Sequence, residues 1–378
     1  MKRVLVVVGT RPEAVKLAPI VRAAALADDL ALDVVWTGQH AGLVAPHAAQ
    51  LGVAPPGGPA RGATPGALRR AVRQALRTRR ADAVLAQGDT ASVVAAAEVA
   101  HAADIPFVHV EAGLRSGSLE HPWPEEHNRV RVGRLATLHL APTRRAASNL
   151  LGEGVDRSAI VVTGNTIVDA ARHELSTLEV AAPSARLARF EAERPRVLFT
   201  HHRRESFPHG AASVMRAIAA LAEAHPALEV VMPAHPNPAL ASVLAPLSDR
   251  SNVHRVPPLD HRELLWLLGR CRFAVTDSGG IQEEAPSVGV PVLVTRRTTE
   301  RPEALERGWA RLVGWEREII EADALRWLRD EGAWASSRPS CNPFGDGHAA
   351  ARCVQALRCV LGLSSRPPAS WTGPAAAA

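Results

Sequence analysis

Short apolar runs rich in valine, leucine and alanine recur along nearly the whole chain, each closed by a turn and followed by a stretch of helical periodicity. Continuous apolar runs of four or five residues suit strands buried on both faces, and parallel strands need helical crossovers between them. The first half offers strands at 4–8, 32–36, 83–86, 107–110, 138–140 and 160–162. The second offers 197–200, 228–232, 253–256, 273–276 and 291–294. The pattern specifies an α/β fold with parallel sheets, and 378 residues are enough for two domains with a core each. Two such sheets facing each other leave a cleft at their strand C-terminal edges, where ligands bind in folds of this kind. The polar stretch 181–196 reads as the inter-domain connection, 55–66 as a mobile loop, and 364–378 as a disordered tail.

Several function classes are disfavoured by composition. The net charge is +6, which invites an anionic partner, but aromatics are only 4% and tyrosine is absent, so the stacking platforms of single-strand binders are missing. The densest basic run, Arg69 to Arg80, has the spacing of a solvated helix face, and no nucleic-acid partner is expected. The cysteines Cys271, Cys341, Cys353 and Cys359 lack C-x-x-C spacing and read as reduced thiols. The apolar N-terminal run is cut at Gly9, too short for a signal segment or a membrane span, and a cytoplasmic protein is expected. Only two lysines occur, Lys2 and Lys16. Lys16 therefore stands out as a compact ammonium suited to a phosphate, a task that the arginine fork performs differently.

The chemistry-bearing residues follow the strands. Gly9-Thr10-Arg11-Pro12-Glu13 has capping-box spacing between Thr10 and Glu13, with Pro12 in the tolerant first turn. It is not the G-x-G-x-x-G of a dinucleotide site, and no redox cofactor is expected. Asp277-Ser278-Gly279-Gly280 ends a strand and opens a helix, so its glycines let a diphosphate approach backbone N–H groups. Asp89, Glu111 and the pair Glu125–Glu126 lie in loops of the first half, where several carboxylates at successive strand ends converge on one wall. His201-His202-Arg203-Arg204-Glu205 occupies the corresponding edge of the second half. His121, Glu125 and His127 match no zinc-protease spacing, and no metal is expected.

Taken together, GTRPE, QGDT, HVEAGLRSG, PWPEEHNR, THHRRES, TDSGGIQEEAPSVGVPVLV and TTERPEA resemble the non-hydrolysing UDP-N-acetylglucosamine 2-epimerases, in the family's order, from Gly9 to Gly347. The resemblance implies an α/β fold of two Rossmann-like domains facing across a cleft, the glycosyltransferase-B architecture, and a homodimer. It implies an N-terminal domain of 1–170 with 358–378, and a C-terminal nucleotide-binding domain of 171–357. It implies that Asp89, Glu111, Glu125 and His202 are catalytic. It also implies that Arg11, Lys16, His235, Ser278, Gly279, Gly280, Glu284 and Arg301 bind a UDP-sugar.

The implied reaction inverts carbon 2, whose hydrogen is not acidic because no carbonyl is attached to that carbon. Elimination of UDP from C1 with loss of the C2 proton gives a 2-acetamidoglucal, to which UDP adds back after protonation from the other face. Such a route needs acid/base groups on both faces and cations for the leaving group. Which of Asp89, Glu111 and Glu125 takes which role is left open. Three departures from the family pattern stand out: Gln39-His40 runs into Ala41-Gly42-Leu43, Leu259 replaces a common glutamine, and Gln87 replaces a common histidine. The first puts activation by substrate in doubt. The alternatives are a hydrolysing epimerase, a sugar transferase and a non-catalytic sugar-nucleotide binder.

Overall fold

Val4, Val6 and Val8 face one side of the first strand and Leu5 and Val7 the other, and all five are fully buried. A strand apolar on both faces must be covered on both, and that sets the layering of the chain around it. The computed structural model describes residues 1–39, 51, 64–179, 182–203, 206, 209–234, 247 and 250–374. They form two units, Met1–Ala170 with Phe344–Ala378, and Ala171–Pro343.

In the first unit the chain runs through β1 (Lys2–Val8), α1 (Arg11–Ala24), β2 (Leu30–Trp36), α2 (Pro65–Arg79), β3 (Ala83–Gln87) and α3 (Ala91–His101). It continues through β4 (Phe107–Val110), α4 (Glu125–Leu135), β5 (Leu138–Ala141), α5 (Arg144–Gly152), β6 (Ile160–Val162) and α6 (Thr166–Leu175), within which the chain passes from the first unit to the second at Ala170–Ala171. The second unit carries β7 (Arg196–Thr200), α7 (His209–Ala224), β8 (Glu229–Pro233), β9 (Val253–Val256), α8 (His261–Leu268) and β10 (Phe273–Thr276). It closes with α9 (Gly279–Glu284), β11 (Val292–Val294), α10 (Pro302–Glu306), β12 (Ala310–Leu312), α11 (Arg317–Arg329) and α12 (Glu331–Ser337), and α13 (Ala349–Val360) belongs to the first unit.

Both sheets are parallel, with strand orders β2-β1-β3-β4-β5-β6 and β12-β11-β10-β7-β8-β9. The order reverses between β1 and β3 in one unit and between β7 and β10 in the other. At such a point the two following loops diverge, and a crevice opens outside the strand ends. In the first unit α1 packs with α13 against Val4, Val6 and Val8, while α2 and α3 cover Leu5 and Val7. The diverging helices thus lie on opposite faces.

Four expectations are revised. The chain returns to the first unit at Phe344, ahead of 358, because Asn165 N–H bonds the Phe344 carbonyl at 2.8 Å and Asp169 accepts the N–H groups of Ala349 and Ala350. The stretch 181–196, read as a connection, instead places Leu187 and Phe190 in the second unit's interior and ion-pairs Arg186 with Glu263. Pro65 and Gly66 are not loop but the first turn of α2, capped by Thr64, whose hydroxyl accepts from Ala67; residues 55–63 lie outside the described ones. The tail does not dangle over 364–374: Trp371 is buried and its N–H bonds Val162 at 2.8 Å. An additional strand, β12, had no apolar run long enough to announce it. No described helix is long and apolar enough to cross a membrane.

Gly113 has φ +88, and a Cβ there would stand 2.2 Å from the Ala146 carbonyl oxygen. Gly113→Ala is therefore expected to cost about 2–4 kcal/mol through combined backbone strain and overpacking, read as a lower urea midpoint than wild type.

Candidate functional site

Every candidate residue of the first unit lies on a segment that follows a strand. Gly88, between β3 and Asp89, has φ +88, and its carbonyl is fixed by His109 Nε2 at 2.8 Å. Burial pushes His109 down to about 3, so the ring is neutral and can donate one N–H to that carbonyl. Asp89 then meets α4: Arg129 reaches its Oδ2 through Nε at 2.8 Å and through its terminal nitrogen at 2.7 Å. Asn128 donates to the Asp89 backbone carbonyl at 2.8 Å. Arg129 also holds Glu126 at 2.7 Å, and Glu126 accepts the Ser116 N–H with both oxygens. Of the adjacent acids, Glu126 is thus buried in structure, while Glu125 presents a buried Oε2 with no hydrogen-bond partner in the described structure.

Glu111 follows β4 with φ +64, a conformation uncommon for a residue with a side chain and a common mark of functional positions. Its Oε2 accepts from three side chains: Lys16 of α1 in a buried ion pair, Gln87 at 3.0 Å and Asn165 at 3.4 Å. An ammonium and two amide donors on one oxygen favour the ionised carboxylate. Lys16 therefore contacts a catalytic candidate, an arrangement that its phosphate-binding expectation did not include. Arg11 is half-buried at the first position of α1.

In the second unit the loops after β7 and β10 are joined by Asp277, which is fully buried. Its Oδ2 accepts the N–H groups of His202 and Arg203, both at 2.7 Å, and the His202 Nδ1 lies 3.2 Å from Oδ1. Burial alone would raise this carboxyl, but the imidazoles of His202 and His201 and the two backbone donors outweigh it and hold the group below the usual aspartate range. Ser278 precedes α9, and its N–H bonds Thr276 Oγ1 at 2.9 Å. A Cβ on Gly279 would come within 2.6 Å of the Arg301 guanidinium carbon. Arg301 is anchored by Glu283 at 2.6 Å and Glu300 at 2.8 Å. At Gly280 such a Cβ would have Ser278 Oγ as its nearest neighbour, at 3.8 Å. Glu284 lies 3.4 Å from His261 Nε2. His235 and residues 40–43 lie outside the described residues.

The structure thus brings Lys16 to Glu111, and Arg301 to the Ser278–Gly280 turn. Asp89 and Glu125 are linked through the first turns of α4, where Asn128 and Arg129 reach Asp89. Sequence reasoning missed the partners Gln87, Asn165, Arg129 and Asp277 as organisers, although all but Asn165 sit inside motifs it had singled out. Among the described residues no group of three or more His, Cys, Asp or Glu side chains is arranged to hold a metal ion.

Comparison with known proteins gives a consistent result. The family model described as UDP-N-acetylglucosamine 2-epimerase matches residues 23–358. The chain is 39% identical to the UDP-N-acetylglucosamine 2-epimerase of Salmonella typhimurium, over 94% of this chain and 98% of that one. Among solved structures it is similar to the S. aureus MnaA–UDP co-structure, with 34% identity, a TM-score of 0.92 and coverage of 98% of this chain and 100% of that one. It is also similar to the Neisseria meningitidis UDP-GlcNAc 2-epimerase bound to UDP-GlcNAc, with 33% identity, a TM-score of 0.88 and coverage of 94% and 99%.

The Asp277 arrangement has a pH signature. Its depressed carboxyl contributes stability above the unfolded aspartate pKa of about 3.9 and loses it as pH falls through the lower folded value. Asp277→Asn is expected to destabilise the second unit by about 1–3 kcal/mol at pH 7, with the deficit against wild type shrinking in denaturation curves taken below about pH 4.

Proposed function

The chain belongs to the UDP-N-acetylglucosamine 2-epimerase family, and from that premise we propose that it interconverts UDP-N-acetylglucosamine and UDP-N-acetylmannosamine reversibly, by elimination and re-addition of UDP. The observation that carries the reading is that the first unit presents three carboxylates, Asp89, Glu111 and Glu125, each in a different bonding state. A reaction that removes a proton on one face and returns it on the other needs such an inequality.

Glu111, held by Lys16, Gln87 and Asn165, is the carboxylate kept ionised and so the acceptor of the C2 proton. Glu125 suits the complementary role. Its Oε2 is buried and has no hydrogen-bond partner among the described residues, which leaves it available to pass a proton at the opposite face. Asp89, fixed by Arg129, orients the sugar and balances charge as the intermediate forms. UDP is assigned to the second unit. Ser278, Gly279 and Gly280 offer backbone donors to the diphosphate, Arg301 and the Asp277-oriented His202 stabilise it as it leaves, and Glu284 takes the ribose hydroxyls. Arg11 and His235 are further substrate contacts. A soluble cytoplasmic homodimer completes the reading, as does a reaction needing no redox cofactor or metal.

Incubation with UDP-N-acetylglucosamine in D2O, followed by NMR, tests this. Deuterium at C2 with UDP-N-acetylmannosamine forming is expected. Free N-acetylmannosamine with UDP would mean a hydrolysing enzyme, and no turnover without an added acceptor would mean a transferase. Asp89→Asn, Glu111→Gln and Glu125→Gln should each lower kcat about 10²–10⁴-fold while UDP still binds. Near-normal rates in all three would sink the mechanism.

A further inference from the structure

Glu13 has no part in the reaction just described, yet its carboxylate is almost completely buried, where an acid is costly to keep. Oε2 accepts the N–H of Gly9 at 2.6 Å and that of Thr10 at 3.3 Å, and Oε1 accepts the Thr90 hydroxyl at 2.6 Å. Gly9 and Thr10 lead into Arg11 at the end of β1, and Thr90 follows Asp89 at the end of β3. These are the two neighbouring strands at which the sheet order reverses, so their loops turn toward opposite faces of the sheet.

We propose that Glu13 is a positioning residue for the reaction: by spanning the gap between these loops it holds Asp89 and Arg11 at a fixed separation. The inference rests on the assignment of Asp89 and Arg11 to the UDP-sugar. Two further observations support it. The loops are packed to contact, since a Cβ on Gly9 would stand 2.0 Å from Ser92 Oγ in the first turn of α3. The second unit has the same device at its own reversal, where Asp277 of one loop binds the backbone of the other. Burial pushes the Glu13 carboxyl up to about 7 against the opposing effect of its Thr90, Gly9 and Thr10 donors. Its ionised form is thus held at a cost to stability, and that cost sets in as pH rises from the unfolded glutamate range toward 7.

The inference concerns reach rather than charge, and two substitutions separate these. Glu13→Asp keeps the charge but is one methylene too short to engage both loops. Glu13→Gln keeps the length, its amide oxygen facing Gly9 and Thr10 and its NH2 facing the Thr90 oxygen. In steady-state assays Glu13→Asp is expected to lose at least about tenfold in kcat with KM within about threefold. Glu13→Gln is expected to recover kcat to within about threefold of wild type, with a melting temperature at pH 8 no lower than wild type. Glu13→Asp within about twofold of wild-type kcat overturns the inference, as does an equal loss in Glu13→Gln, or a lower melting temperature with normal kcat per folded molecule. Should Glu13→Asp fail to fold, Thr90→Val and Thr90→Ser decide. Loss of kcat in Val with recovery in Ser supports the span, and wild-type kcat in Val overturns it. Wild-type enzyme that exchanges no deuterium at C2 removes the reaction assignment and this inference with it; exchange in wild type with an unaffected Glu13→Asp removes this inference alone.

Discussion

Both units depend on one constraint, the divergence of two loops where a parallel sheet reverses its strand order. Main-chain pairing ends with the strands, so side chains must fix whatever the loops carry beyond them. In the second unit Asp277 does this with two backbone N–H groups at 2.7 Å. In the first, Glu13 joins Gly9 and Thr10 to Thr90. A carboxylate suits this place because it accepts several hydrogen bonds at once, whereas an alcohol or an amide oxygen has fewer acceptor sites. The burial it suffers is the counterpart, and the two groups show opposite balances. Glu13 is pushed up by desolvation, and Asp277 is held down by its neighbouring imidazoles and N–H donors.

The other buried charges follow the same logic of compensation. Lys16 and Glu111 are both nearly inaccessible, and each ion is tolerable only because the other is beside it. Arg129 neutralises Asp89 and Glu126 together, so the helix that presents Glu125 is bound to the loop that presents Asp89. Arg301 is held between Glu283 and Glu300. Removing Lys16 or Arg129 would leave a buried carboxylate, Glu111 or Glu126, without its cation, whereas Arg129 and Arg301 each keep a second acid if one is lost.

Gly279 shows how one glycine can answer to two separate physical demands. Glycine at a strand-to-helix turn admits a phosphate, and that argument needs only the local chain. The structure adds a reason from elsewhere in the unit, because the Arg301 guanidinium occupies the volume a side chain at 279 would need. Gly9 is similar, its missing side chain being demanded by Ser92 of α3.

The sequence alone was enough for the α/β class, for eleven of the twelve described strands to within two residues at either end, and for the positions of candidate residues after strand ends, because apolar periodicity and strand-end turns are local properties. The placement of the acids at 89, 111 and 125, and of His202 and Ser278, on segments that follow strands was legible for the same reason. Local pattern could not separate Glu125 from Glu126, since adjacent glutamates on a helix differ only in what each one faces. Nor could it pair Lys16 with Glu111, or see that Gln87 and Asn165 complete that contact, because those residues lie on four separate segments. The same holds for the tail and the 181–196 stretch, polar in composition yet anchored by Trp371, Leu187 and Phe190. Those features are decided by which segments the sheet order brings side by side, and the free energy of burying a charge or an indole exists only once they have met.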